Sequence, residues 1–225
     1  ALAYLACVLE EYGDAWLSKA GYHYRWTRKK DQRLAGQRVV EDYYGPAGEP
    51  ASDPAEAPAQ PVDRKAMEDV AVERMLDQLR LIGLEGEFGG QVEKSFKRFL
   101  KLADEHLSTR DFLFGGRPSS ADFAIAGQLI QMLKDPTPAK LIEGAPAVLA
   151  WCERMAAPHA AGPFEPFETL RGTLFALFAE DLAAAFLPWA AENVESSLSG
   201  AERFEIALGK DAFVLTPLRS CARSF

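Results

Sequence analysis

The chain has 225 residues, of which 48% are hydrophobic and 26% charged, with a formal net charge of -8. That is enough apolar material for one large core or two small ones. The acidic balance excludes a general nucleic-acid binder, because phosphate affinity rests on counterion release by clustered Lys and Arg.

The first element begins without a cap. Leu2, Leu5, Leu9, Tyr12 and Trp16 recur at spacings of three and four, which predicts a long amphipathic helix from Leu2 to about Arg28. Its basic end, Arg25, Arg28, Lys29 and Lys30, suits the negative pole of a helix dipole. A pattern that opens mid-stride, with no charged leader and no cleavage site, leads us to expect that the sequence is part of a longer protein. Residues 45–62 carry Pro46, Pro50, Pro54, Pro58 and Pro61 among Ala, Gly and acidic residues, and read as a solvated loop.

Val70, Met75, Leu76, Leu79 and Ile82 restore the helical period, and after a Gly-rich break, Gly83 to Gly90, so do Val92, Phe96, Phe99, Leu100 and Leu107. Two consecutive core helices are expected. Gly115, Gly116 and Pro118 turn the chain into Ser119 to Leu133, which is apolar nearly all round and belongs at the centre of a bundle. Ser119 and Asp122 have the spacing of a capping box, each able to accept a backbone N–H that the helix leaves open. Asp135-Pro-Thr-Pro breaks the chain before a helix at about Ala147 to Met155 and a longer one from about Pro166 to Leu198, kinked or interrupted at Pro188. Phe204, Ile206 and Leu208, then Phe213 and Leu215, alternate around Gly209-Lys210 as a hairpin over 203–216. The fold class is therefore all-α, a helical bundle with a small C-terminal β-hairpin.

Cys7, Cys152 and Cys221 form no Cys-x-x-Cys pair and no even framework, which fits a reducing, cytoplasmic setting. Cys7 and Cys152 fall in helical patterns as small buried hydrophobes, whereas Cys221 beside Arg219 and Arg223 has surroundings that favour a thiolate. Glu180, Asp181 and Pro188 interrupt the nearest approach to the roughly 20 apolar residues of a membrane span, so no membrane partner is expected. Glu105 and His106 are adjacent and diverge on a helix, and His159 is isolated, so no metal site is expected. Gly83 to Gly90 lacks the Gly-Lys-Ser or Gly-Lys-Thr ending of a phosphate loop.

The stretch Phe112-Leu-Phe-Gly-Gly-Arg-Pro-Ser-Ser-Ala-Asp-Phe123 resembles the capping segment of the glutathione transferase C-terminal domain, whose core helix opens with Gly, Ser or Thr, then Ala-Asp. The opening Leu-Glu-Glu-Tyr-Gly-Asp-Ala-Trp-Leu helix with His23-Tyr24-Arg25-Trp26, the Asp135-Pro-Thr-Pro loop and Ala150-Trp-Cys-Glu-Arg-Met155 are similar to bacterial members of that superfamily. The resemblance implies one helical domain over 1–225, a homodimer, and a hydrophobic wall for a small apolar electrophile. It implies glutathione as cofactor, held mainly by a thioredoxin-like domain whose β-α-β pattern this sequence lacks, so no catalytic residue carries over. Tyr12, Trp16, His23, Tyr24 and Trp26 are the candidate pocket residues, since aromatics stack on apolar substrates and a phenol or imidazole can orient a leaving group. Core or dimer-interface packing is the competing reading of the same five. A non-catalytic scaffolding module and an unrelated bundle are the competing readings of the whole chain.

Overall fold

The computed structural model describes residues 2–46, 63–84 and 86–219. Among these residues, eight helices precede one hairpin. They are α1 (2–27), α2 (Lys29–Tyr44), α3 (Arg64–Gln78), α4 (Phe88–Leu107), α5 (Ser120–Met132), α6 (Pro136–Glu143), α7 (Pro146–Met155) and α8 (Phe167–Ser199). The antiparallel strands are β1 (Phe204–Leu208) and β2 (Asp211–Leu215), with Leu208 opposite Asp211 and Gly209 at φ 65° in the two-residue turn. The alternation seen in the sequence is realised: Phe204, Ile206 and Leu208 are buried and pack on α8.

Two helices carry π-helical turns, Tyr12–Leu17 in α1 and Phe178–Phe186 in α8, and these turns meet in the core. Pro188 follows the second one, and α8 runs on past it, so of the two outcomes expected there the interruption does not occur and a π turn precedes the proline instead. A π turn changes the hydrogen-bond spacing to i→i+5, which relieves the clash a proline imposes on the preceding turn of an α-helix. By length and composition α8 could cross a membrane, an 18-residue window having mean hydropathy 1.5. In this fold its apolar face, Leu170, Leu174, Leu177, Leu182 and Phe186 among others, is buried in the bundle.

Four further departures from the sequence pattern have local causes. Lys29 and Lys30 begin α2 rather than end α1: Arg28 turns extended at φ -96°, ψ 116°, and Asp31 supplies the acidic residue of the new first turn. Helix α3 buries no side chain fully, so only α4 of the expected pair is a core helix. Helix α5 is not enclosed, for Phe123 is 55% exposed although Ile125, Ala126 and Leu129 are buried. Helix α6, unanticipated, fits between Asp135 and Gly144 because Pro136 is tolerated in a first helical turn. Of the proline-rich loop, residues 47–62 lie outside the described residues, as does Cys221.

The turn into α5 depends on its glycines. A Cβ on Gly116 would lie 2.6 Å from the Gly162 backbone, and Gly116 exchanges hydrogen bonds with the 161–163 loop, from Ala161 and Gly162 N–H and to Pro163 carbonyl. At the α5 N-terminus a capping box forms, and its strength lies in the acidic half. Asp122, fully buried, accepts from Ser119 N–H (2.8 Å), Ser119 hydroxyl (2.7 Å), Leu113 N–H (2.8 Å) and Trp151 Nε1–H (3.1 Å). One carboxylate thereby ties the helix start to α7 and to the preceding loop. Burial pushes its pKa up, against those four donors.

Candidate functional site

Helices α1 and α8 lie together along the bundle, and their shared boundary has a closed part and an open part. In the closed part the Tyr12 hydroxyl donates to Asp181 at 2.5 Å, Ser95 hydroxyl donates to Asp181 at 2.9 Å, and Trp16 Nε1–H donates to Ser95 at 2.8 Å. Arg98 completes the cluster, with Nε donating to the Asp181 carboxylate at 3.0 Å and Nη2 at 2.7 Å from the same oxygen. Tyr12 and Asp181 are fully buried; each comes from one of the two π turns. Burial raises the pKa of both, most strongly for Tyr12, whose ionisation the Asp181 charge also opposes. The phenol is therefore a fixed neutral donor.

The open part is a groove of about 780 Å³ between the first turn of α1 and the last turns of α8. Leu187, Ala190, Ala191, Val194 and Leu198 recur at helical spacing along one face of α8, and Tyr4 faces them from α1. Tyr4 is 73% exposed and Leu198 78%, with Glu195 the single ionised residue in the lining. Small side chains at Ala190 and Ala191 leave the floor open, and the volume suits one small molecule. The arrangement offers apolar contact and an edge hydroxyl, and it offers no acid–base pair.

The five candidate pocket residues are not in this groove. Tyr12, Trp16, Tyr24 and Trp26 are buried in the core. Trp16 packs on Phe88, Phe186 and Trp189, and Tyr24 on Phe96. Burial lifts the Tyr24 phenol to about 12. His23 is half-buried: its Nε2 lies 2.8 Å from Glu93, and Gly89 leaves the space for its ring, since a Cβ there would fall 2.3 Å from His23 Nδ1. Burial, reinforced by the Arg28 charge, lowers His23 to about 4, so the neutral ring donates to the Glu93 carboxylate despite the adjacent negative charge. These aromatics have the spacing of a helix face, and that face turned inward. The groove residues Val194 and Leu198 could have been noticed as an apolar stripe that continues beyond the core segment of α8.

Cys7 is exposed on α1, against the expectation of burial, whereas Cys152 is buried and its thiol is pushed up to about 12. Among the described residues no cluster of three or more His, Cys, Asp or Glu is placed to hold a metal. His106 is fully buried, bonded to Thr173 hydroxyl at 2.7 Å and Leu113 carbonyl at 2.8 Å, and serves the packing of α4 on α8.

No curated protein and no solved structure matches the chain. One family model does, over residues 64–154, which run from α3 through α7 and include the buried Asp122 cap. It is the model of the glutathione S-transferase C-terminal domain, and the match supports that resemblance over this part of the chain against an unrelated bundle with a chance capping box.

Proposed function

We propose that the chain is the substrate-binding and dimerisation part of a cytoplasmic glutathione transferase-like enzyme acting on small apolar electrophiles, with glutathione held by a thioredoxin-like domain. The observation that carries this reading is the α1/α8 groove, apolar over nearly its whole lining and of a size for one small molecule. The test is fluorescence titration of the chain with the neutral apolar dye N-phenyl-1-naphthylamine. Saturable binding that Ala191→Trp abolishes, with unchanged melting, supports the groove; equal binding by both proteins overturns it.

The dimer proposal rests on α3, whose outer face no other helix buries. Val70 on α3 is 57% exposed, Leu81 in the short 3-10 turn Leu79–Ile82 that follows the helix is 60% exposed, and Arg74 and Asp77 lie between them. Two copies of such a helix crossing antiparallel about a two-fold axis set Val70 against the partner copy's leucine and Arg74 against its aspartate, twice each, which is the self-complementarity an isologous interface needs. Sedimentation of Val70→Glu, expected to be monomeric where the unaltered chain is dimeric, tests it.

A non-catalytic binding module is the second reading. It is favoured by the direction of the shifted thiol and phenols: Tyr12, Tyr24 and Cys152 are all raised by burial, and a raised group is not an ionised nucleophile at neutral pH. Joining the chain to a thioredoxin-like domain and assaying glutathione conjugation separates the two readings. Activity supports the transferase; dye binding without activity supports the module.

A further inference from the structure

The α1/α8 groove has a shape as well as a size. Its lining on α8 lies in one unbroken α-helical stretch, Leu187–Ser199, beyond the π turn. At a rise of about 1.5 Å per residue, the path from Leu187 to Ser199 is about 18 Å long. Spread over that length, 780 Å³ leaves a mean section of roughly 40 Å², so the groove is about three times as long as it is wide. Successive turns present Leu187, Ala191, Val194 and Leu198, all aliphatic, and Tyr4 is the one aromatic side chain in the lining. A flat ring system gains most from stacking on aromatic faces, whereas an alkyl chain gains from aliphatic surface all along its length.

The charge of the groove is equally one-sided. Glu195 is exposed towards its far end, has no ion pair among the described residues, and shares the lining with no Lys, Arg or His. The first turn of α1, which brings Tyr4, carries no charged side chain. At the other end Leu187 packs against the core and offers only apolar surface. A carboxylate or phosphate in the groove would therefore meet a like charge with no cation in the lining to offset it. Resting on the reading of this groove as the substrate site, we infer that its ligand is a linear aliphatic molecule of up to about fourteen carbons whose end group is not anionic. That length follows from an advance of about 1.25 Å per carbon, set by C–C bonds of about 1.52 Å at angles near 111°. The chain lies along α8 over Ala191, with its tail at Leu187 and its polar end beside Glu195, whose carboxylate accepts a hydrogen bond from a hydroxyl.

The experiment is calorimetric titration of the full chain, near neutral pH and low ionic strength, with alkan-1-ols and with the matching alkanoates. Chains of about 8 to about 16 carbons, each below its aggregation limit, bracket the expected length. Affinity should rise about twofold per added carbon, half the logarithmic gain of full enclosure because one side of the groove is open, and level off near about fourteen carbons. Each alkanoate should bind about fivefold more weakly than the alcohol of equal length. Glu195→Gln, at an exposed position, should narrow that difference and leave the length dependence in place. Affinity that does not follow chain length, alkanoates that match the alcohols, or a preference that Glu195→Gln leaves unchanged overturns the inference. Saturable binding of N-phenyl-1-naphthylamine without binding of any alcohol overturns the linear ligand alone, whereas failure of the dye and the alcohols alike removes the groove as a substrate site.

Discussion

The same two helices build opposite environments a few turns apart. Where α1 and α8 meet through their π turns, Tyr12, Ser95, Arg98 and Asp181 form a closed polar joint; where the helices run on, Tyr4, Val194 and Leu198 bound an open apolar groove. In the joint Tyr12, Ser95 and Arg98 Nε each direct a bond to Asp181, and removing the carboxylate strands them in a medium that cannot hydrate them. In the groove the apolar side chains make no hydrogen bonds, and Ser199 bonds only to the Ser196 carbonyl at the helix end, so the apolar lining can be exchanged with little effect on folding. A rigid joint beside a permissive groove lets the groove vary while the bundle stays fixed.

The largest effect should come from breaking the joint. Asp181→Ala leaves the Tyr12 hydroxyl, Ser95 and Arg98 without their acceptor and is expected to cost about 3–5 kcal/mol in urea denaturation. A loss below about 1 kcal/mol would mean that the joint is dispensable. Asp122→Ala removes four donors' partner and is expected to cost about 3 kcal/mol, whereas Ser119→Ala should cost about 1 kcal/mol; equal losses would show that the cap, and not the cross-link to Trp151, dominates.

A smaller effect concerns pH. His23 titrates near 4 in the folded chain against an ordinary value near 6.5, so the unfolded chain binds the extra proton between those values, and stability falls as pH drops from 6.5 towards 4. Asp181 and Asp122, with raised values, act the other way above their ordinary range. The part owed to His23 is isolated by comparing the chain with His23→Gln, whose melting temperature should fall less over that window by about 2–4 °C. Parallel curves would show that His23 is too well hydrated for the difference to matter. Smallest of all, Leu198→Ser in the groove should change stability by less than about 0.5 kcal/mol while weakening dye binding several-fold, a contrast that Asp181→Ala should reverse.

How far the sequence could be read depended on how local each interaction is. The α5 cap was legible because Ser119 and Asp122 sit three residues apart, so the geometry of a helix start alone brings them together. The caps of α6 and α7 were not. Asp135 stands at the N-cap of α6, yet its carboxylate pairs with Arg25 and Arg38, and the Thr137 N–H is taken instead by Asp31, more than a hundred residues away. Asp104 of α4 does the same for Ala147 N–H of α7. Such caps depend on which helices become neighbours. The aromatic face of α1 was equally visible as a periodicity, but period alone does not say whether the face meets a ligand or a core.

Sequence by itself determined the helices with strong apolar period, the hairpin with its Gly209-Lys210 turn, and the capped start of α5, because each is a property of residues within a few positions of one another. Only the tertiary structure decided that Tyr12 meets Asp181 across 169 positions, that α8 continues past Pro188, and that the apolar stripe of Val194 and Leu198 stays open. Those outcomes follow from packing, in which a side chain's environment is set by whichever helix arrives beside it.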